Sequence, residues 1–158
     1  MRHAQADSPS HVNSDYERPL TKRGTRDVAH IARLLQHRGT VPERASASSA
    51  RRARQTALRI CEHLNMPAEV VDLEESLYLA SPATLIEHIQ HTPNGVNTLL
   101  IVAHNPGMEE LIYLLSNATV ALPPAGLVTI SFDTLLWSAI GPTRGQLIHS
   151  FTPNVDTP

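Results

Sequence analysis

The sequence predicts an α/β fold in three layers, α/β/α, with a mostly parallel central sheet. Two observations predict it. Amphipathic helical stripes alternate along the chain with short apolar segments, the order that places helices on both faces of a parallel sheet. Residues 98–103, Thr-Leu-Leu-Ile-Val-Ala, form a continuously apolar run, as a strand buried on both faces requires. The 158 residues, 41% of them hydrophobic, suffice for one core. With no repeat, low-complexity segment or boundary visible, residues 1–158 read as one domain.

Each element has a local reason. Residues 4–20 are polar and carry Pro9 and Pro19, so they read as a loop; loops of that length often belong to a site. Thr21 suits the N-cap of a helix running to about Arg38, with Val28, Ile31, Ala32 and Leu35 as its buried stripe and Gly39 as its stop. Residues 44–48 should form a short strand, although Arg-Ala-Ser-Ala-Ser lacks the β-branched and aromatic residues that fill pleated surfaces. Ser48 and Ser49 are placed to cap a second helix whose inner stripe is Ala53, Ala57, Ile60, Cys61 and Leu64. Residues 69–73 read as a short strand. Ser81-Pro82 opens a third helix, with proline where its missing N–H is harmless and Leu85, Ile86 and Ile89 facing inward. After the apolar strand, Asn105-Pro106-Gly107 opens a fourth helix with Met108, Leu111, Ile112 and Leu115 on its core face. Residues 127–132 alternate as a strand, residues 146–151 read as an edge strand, Trp137 packs under a loop between them, and residues 152–158 read as a frayed tail.

Composition narrows the function. A net charge of -2 gives no general attraction to nucleic acid or to an anionic membrane. No apolar run reaches the ~18 residues of a membrane span, and the N-terminus has no apolar signal core. Cys61 is the one cysteine and reads as a small core residue in a reducing, cytoplasmic setting. Nine histidines form no zinc pattern; His88 and His91 read as cations at a helix C-terminus rather than as metal ligands. No metal or cofactor is expected.

Four side chains stand out. Ligands of such sheets bind outside the carboxyl ends of the strands, and His104 follows the apolar strand directly. Arg52 sits in the first turn of the second helix, where free N–H groups and the helix dipole already favour an anion, and its planar fork matches phosphate oxygens. Arg51, Arg52, Arg54 and Arg59 cluster and cannot all point one way, so some of them read as surface charge, and the plain reading of the run is a solvated basic face. Arg2 and His3 supply a third cation and a second imidazole. Two histidines and two arginines of this kind suit holding and attacking a phosphoryl group.

Taken in order, Arg2-His3-Ala4, Arg18-Pro19-Leu20-Thr21-Lys22-Arg23-Gly24, residues 48–56 and Val102-Ala103-His104-Asn105-Pro106-Gly107 resemble the histidine phosphatase superfamily, the phosphoglycerate mutase-like fold. The short length and the His-Asn-Pro-Gly motif are most similar to its SixA-like branch of phosphohistidine phosphatases. The resemblance implies that His3 is the nucleophile, that Arg2, Arg52 and His104 hold the phosphoryl oxygens, and that Arg18 is a basic substrate-binding position at the pocket edge. It implies a metal-independent phosphatase acting through a phosphohistidine on His3, with protein phosphohistidine as the substrate. A ring of cations suits phosphoryl transfer, which needs positioning and charge stabilisation above all.

Three features depart from the family pattern. The family has a short apolar strand before its Arg-His pair, whereas the sequence opens at Met1-Arg2, so the first central strand is expected to be missing or truncated. Ser48-Ser49 stands where relatives often have Ser-Pro. Glu74 and Glu75 are the nearest carboxylates for a general acid, and read more simply as solvated loop residues. The rival functions are a small-molecule phosphomonoesterase of the same superfamily and a phosphate-binding module without turnover. A monomer is expected, with a phosphorylated protein or small phosphorylated molecule as partner.

Overall fold

A computed structural model of the chain describes residues 1–11 and 14–153. Four helices, α1 (Lys22–His37), α2 (Arg51–His63), α3 (Pro82–Gln90) and α4 (Gly107–Ser116), enclose strands β1 (Arg44–Ser48), β2 (Val71–Glu74) and β3 (Leu99–Val102). These strands form a parallel sheet in the order β2-β1-β3. Strands β4 (Leu127–Phe132) and β5 (Gly145–Phe151) make a separate antiparallel pair. The architecture is the predicted one, and the alternation along β3 shows why it is layered. Leu100 and Val102 join the cluster of Val28, Ile31, Ala57 and Ile60 from α1 and α2. Ile101 and Ala103 join Leu85, Met108, Leu111 and Leu115 from α3 and α4. Successive strand residues point to opposite faces, so one strand anchors both helical layers.

The N-terminal residues pair with the end of the parallel sheet. Arg2 bridges Ala103 in parallel, with His3 N–H donating to Ala103 O (3.1 Å) and Ala103 N–H to Met1 O (3.2 Å). On their other side, Arg2 N–H donates to Gly126 O and Ala125 N–H to His3 O, both at 3.0 Å. Residues 1–3 therefore join the parallel sheet to the segment that leads into β4. Beyond Met1, β3 and β4 together wall an apolar cavity of ≈ 670 Å³, lined by residues such as Leu100, Ile101, Leu111, Val128, Ile130 and Trp137.

Several local readings hold and two change. Thr21 caps α1 by accepting from Gly24 N–H, Ser81 caps α3 by accepting from Thr84 N–H, and Gly39 takes φ +65 after α1. β1, poor in strand formers, nevertheless occupies the middle of the parallel sheet. Ala45 and Ala47 are fully buried against Ala53 and Ala57 of α2, so small side chains on both partners fill the layer. The serines do not cap α2. Its N-cap is Ala50, which makes no side-chain bond, because Ser49 Oγ is taken by the Tyr16 hydroxyl and Ser48 Oγ pairs with His104 Nε2. The loop over residues 4–20 carries two short 3-10 turns, Pro9–His11 and Asp15–Glu17. Trp137 opens another and donates its indole N–H to Val96 O (2.6 Å). Residues 154–158 of the expected frayed tail lie outside the described residues. Among the described residues no helix is long and apolar enough to cross a membrane.

Gly24 gives a test of this packing. A Cβ there would lie 2.2 Å from Gln5 O, a backbone atom in the loop after His3. Helix propensity alone favours alanine over glycine by about 1 kcal/mol, but overpacking typically costs 1–3 kcal/mol and more against backbone. Gly24→Ala is expected to lower the urea unfolding midpoint; a raised midpoint would show that α1 stands free of the loop.

Candidate active site

The site forms at the carboxyl ends of β1, β3 and the N-terminal segment. His3 follows the bridge to Ala103, His104 follows β3, and Arg52 enters from the first turn of α2. The His3 and His104 rings lie 5.0 Å apart at centroid. Arg52 Nε–H points at His3 Nε2 (3.2 Å). All three side chains are buried, Arg52 to 2% exposure. Burial separates Arg52 from its neighbours in the basic run, since Arg54 is exposed and Arg51 and Arg59 are half-buried. Arg2 is half-buried, and its Nη1 donates to Leu122 O (3.2 Å).

The hydrogen bonds fix the imidazole protons. His3 Nδ1 lies 2.8 Å from Ala4 O, an acceptor, so the proton is on Nδ1 and the lone pair on Nε2, where Arg52 donates. Ser48 Oγ accepts from Ala50 N–H (3.3 Å) and lies 2.8 Å from His104 Nε2, to which it donates in the tautomer that protonates Nδ1. His104 Nδ1 then carries an N–H. That atom and Arg2 Nε are buried without a hydrogen-bond partner among the described residues, a state that polar groups in folded proteins seldom keep. Burial lowers the His3 pKa to about 4, against the bond to Ala4 O and aided by Arg52, Arg2 and Arg18. Burial also lowers that of His104 to about 3, helped by His3 and Arg52 and opposed by Asp15. Both rings are neutral at neutral pH.

Three residues in the site escaped the sequence reading. Asp15 is the counterion of Arg52: its Oδ2 accepts from Nη2 (2.9 Å) and its backbone O from Nη1 (2.6 Å). Arg18 Nε lies 2.9 Å from Asp15 Oδ1, an ion pair without hydrogen-bond alignment, and Arg18 Nη1 donates to Asp7 O (3.0 Å). Arg18 thus sits at the edge, linked to the centre through Asp15. Burial opposes ionisation of Asp15, but the Tyr78 hydroxyl, Arg52 and Arg18 outweigh it and hold the carboxyl below its ordinary range. Tyr78 donates to Asp15 Oδ2 (3.0 Å), meets His104 edge-on at 5.2 Å, and lies under the Arg52 guanidinium at 5.8 Å. Thr56 is the third. Its Oγ1 accepts from Ala4 N–H (3.0 Å) and donates to Arg52 O (2.7 Å), tying the residue after His3 to the turn that carries Arg52.

The general-acid candidates fall elsewhere. Glu74 closes β2 and takes Ser49 N–H on its backbone carbonyl (3.1 Å), while the turn Glu75–Leu77 delivers Tyr78, not a carboxylate, to the site. His91 caps α3 and bonds Glu87 O through Nδ1 (2.7 Å). Among the described residues no group of three His, Cys, Asp or Glu is placed to hold a metal. Cys61 is buried in the α1/α2 layer, and burial raises its thiol pKa.

Known proteins share this fold. Residues 1–77 match the family model for the histidine phosphatase superfamily, branch 1. The chain is 34% identical over 117 residues to the uncharacterised protein Rv1276c of Mycobacterium tuberculosis, spanning 74% of this chain and 70% of that protein. Its fold matches that of the protein histidine phosphatase SixA complexed with tungstate, with a TM-score of 0.82 at 23% identity over 97% of this chain and 94% of that one. It also matches a Nakamurella multipartitia protein assigned as a SixA phosphohistidine phosphatase, with a TM-score of 0.85 at 20% identity over 98% and 94% of the two chains.

The buried rings make stability depend on pH. Unfolded histidine titrates near 6.5, so between about pH 6.5 and the folded values the unfolded chain binds more protons. Stability is full above that window and is lost as pH falls through it, by up to about 1.4 kcal/mol per pH unit for each ring. The urea midpoint should drop between about pH 7 and about pH 5, and the double variant His3→Gln/His104→Gln should flatten that slope; an equal slope in both proteins would place the titrating groups elsewhere. Thr56→Val removes the acceptor of a buried N–H and should cost about 1–3 kcal/mol in urea unfolding, whereas a neutral outcome would mean that Ala4 N–H finds another partner.

Proposed function

Because the chain belongs to the histidine phosphatase superfamily, and is a phosphatase by that membership, we propose that it removes phosphoryl groups through a covalent intermediate on His3, with protein-borne phosphohistidine as the substrate. The observation that carries this reading is the buried, neutral His3 with its Nε2 lone pair 3.2 Å from Arg52 Nε–H and the His104 ring 5.0 Å away. A phosphoryl group placed at that point meets a nucleophile and cationic donors together.

The residues divide the work as follows. His3 Nε2 attacks phosphorus, an N–P bond forms, and the bond to the leaving group breaks with its electron pair. Arg52 and Arg2 neutralise the equatorial oxygens, and the His104 Nδ1–H donates to one of them. The hydrogen-bond need of Arg2 Nε and His104 Nδ1 supports these assignments. Water then cleaves the N–P bond, releasing phosphate and restoring neutral His3, so one hard step becomes two. Arg18 contributes at the pocket edge, through Asp15.

Support for phosphohistidine comes from the proton inventory. An alkoxide leaving group needs an acid, and the carboxylate bonded to Arg52, that of Asp15, is held ionised by Tyr78 and two arginines. A phosphohistidine protonated on its other ring nitrogen leaves as neutral imidazole and needs no acid from the protein. The lone buried thiol, Cys61, is consistent with a cytoplasmic setting.

Incubation with a labelled phosphoryl donor followed by quenching should yield an acid-labile, alkali-stable phosphoenzyme, absent in His3→Ala, and turnover of phosphoimidazole should outpace that of an alkyl phosphate. Phosphate binding without any phosphoenzyme would instead identify a binding module.

A further inference from the structure

We propose that Asp15 sets the substrate specificity of this pocket. Its carboxylate fills a second anion subsite between Arg52 and Arg18, so the pocket takes one phosphoryl group and turns away substrates with another anionic group beside it. The proposal rests on the phosphatase reading but not on phosphohistidine as the substrate.

A guanidinium presents two forks, one along Nε and Nη2 and one across the terminal nitrogens. In Arg52 the first fork faces the nucleophile, with Nε–H on His3 Nε2 (3.2 Å). The terminal fork is consumed by a single residue, Nη1 by Asp15 O (2.6 Å) and Nη2 by Asp15 Oδ2 (2.9 Å). The same carboxylate lies against Arg18 Nε through Oδ1 (2.9 Å) and accepts the Tyr78 hydroxyl through Oδ2 (3.0 Å). Two guanidinium groups and a hydroxyl around one carboxylate are the contacts by which a protein would bind an acid group of a ligand. Here the chain supplies that acid group itself.

The placement gives the carboxylate a direct effect on selection. The Asp15 side chain is 46% exposed whereas that of Arg52 is 3% exposed, so Asp15 stands at the rim and Arg52 beneath it. A substrate bearing a carboxylate or second phosphate next to its phosphoryl group must bring that charge against Asp15, and like charges in contact repel. A repulsive element of this kind sets a preference between ligands without weakening the contacts both share. Beside it, Tyr16 and Tyr78 meet edge to face at 5.1 Å and offer uncharged ring surface to an uncharged leaving group.

Calorimetry on the full chain carrying His3→Ala, so that no ligand is consumed, compares inorganic phosphate with phosphoglycolate, which adds a carboxylate. The ratio of their affinities is then measured again with Asp15→Asn, which keeps the shape and the backbone carbonyl, and with Asp15→Ser as a second variant. Removing the charge is expected to shift the ratio at least about tenfold toward phosphoglycolate. A ratio that moves less than about threefold in both variants, or no binding of either ligand to any of the proteins, overturns the proposal and leaves Asp15 as a residue that only holds Arg52. Turnover of phenyl phosphate without turnover of phosphoimidazole by the chain with His3 intact would remove the phosphohistidine reading while leaving the Asp15 result to stand.

Discussion

The structure depends on backbone hydrogen bonds around residues 1–3. Ala103 holds Arg2 and His3 on one side, and Ala125 and Gly126 hold them on the other. These contacts join the parallel sheet to the segment entering β4, and they also set the height and direction of the His3 ring. Thr56 adds a side-chain tie from α2 to Ala4, so the nucleophile is fixed by strand and helix together. A reacting group held this way is preorganised by the same bonds that maintain the fold.

A second constraint is electrostatic. Arg52 is buried at the end of β1, where an unpaired guanidinium would be costly to desolvate. The fold answers with Asp15 from a distant loop, and that loop brings Tyr16 and Arg18 with it. The two buried histidines respond differently. Burial, aided by the cations around them, keeps them neutral, which gives His3 a free electron pair. The positive charges therefore draw in a carboxylate and reinforce what burial does to the two imidazoles.

The fold was legible in the sequence because its signals are local. The stripe from Val28 to Leu35, the caps at Thr21 and Ser81, and the apolar run ending at Ala103 each need only a few neighbouring residues to be interpreted. The serines before α2 were misread because tertiary partners, Tyr16 and His104, outcompete the helix end for their hydroxyls. Asp15 and Tyr78 were missed because they reach the site from loops 37 and 26 residues away from Arg52 in sequence. Two signals pointed to them. An arginine read as facing inward demands an acid, and Asp15 lies in the loop beside the recognised Arg18. Only three tyrosines occur in the whole chain, and two of them sit in polar stretches where a core has no use for them.

The apolar hollow beyond Met1 has a mechanical consequence. It lies between residues of β3 and β4, while the backbone ties from the parallel sheet to the segment entering β4 run through residues 1–3, at Ala103 on one side and at Ala125 and Gly126 on the other. The nucleophile sits on that bridge, so any loosening of it would be felt first as a loss of aim.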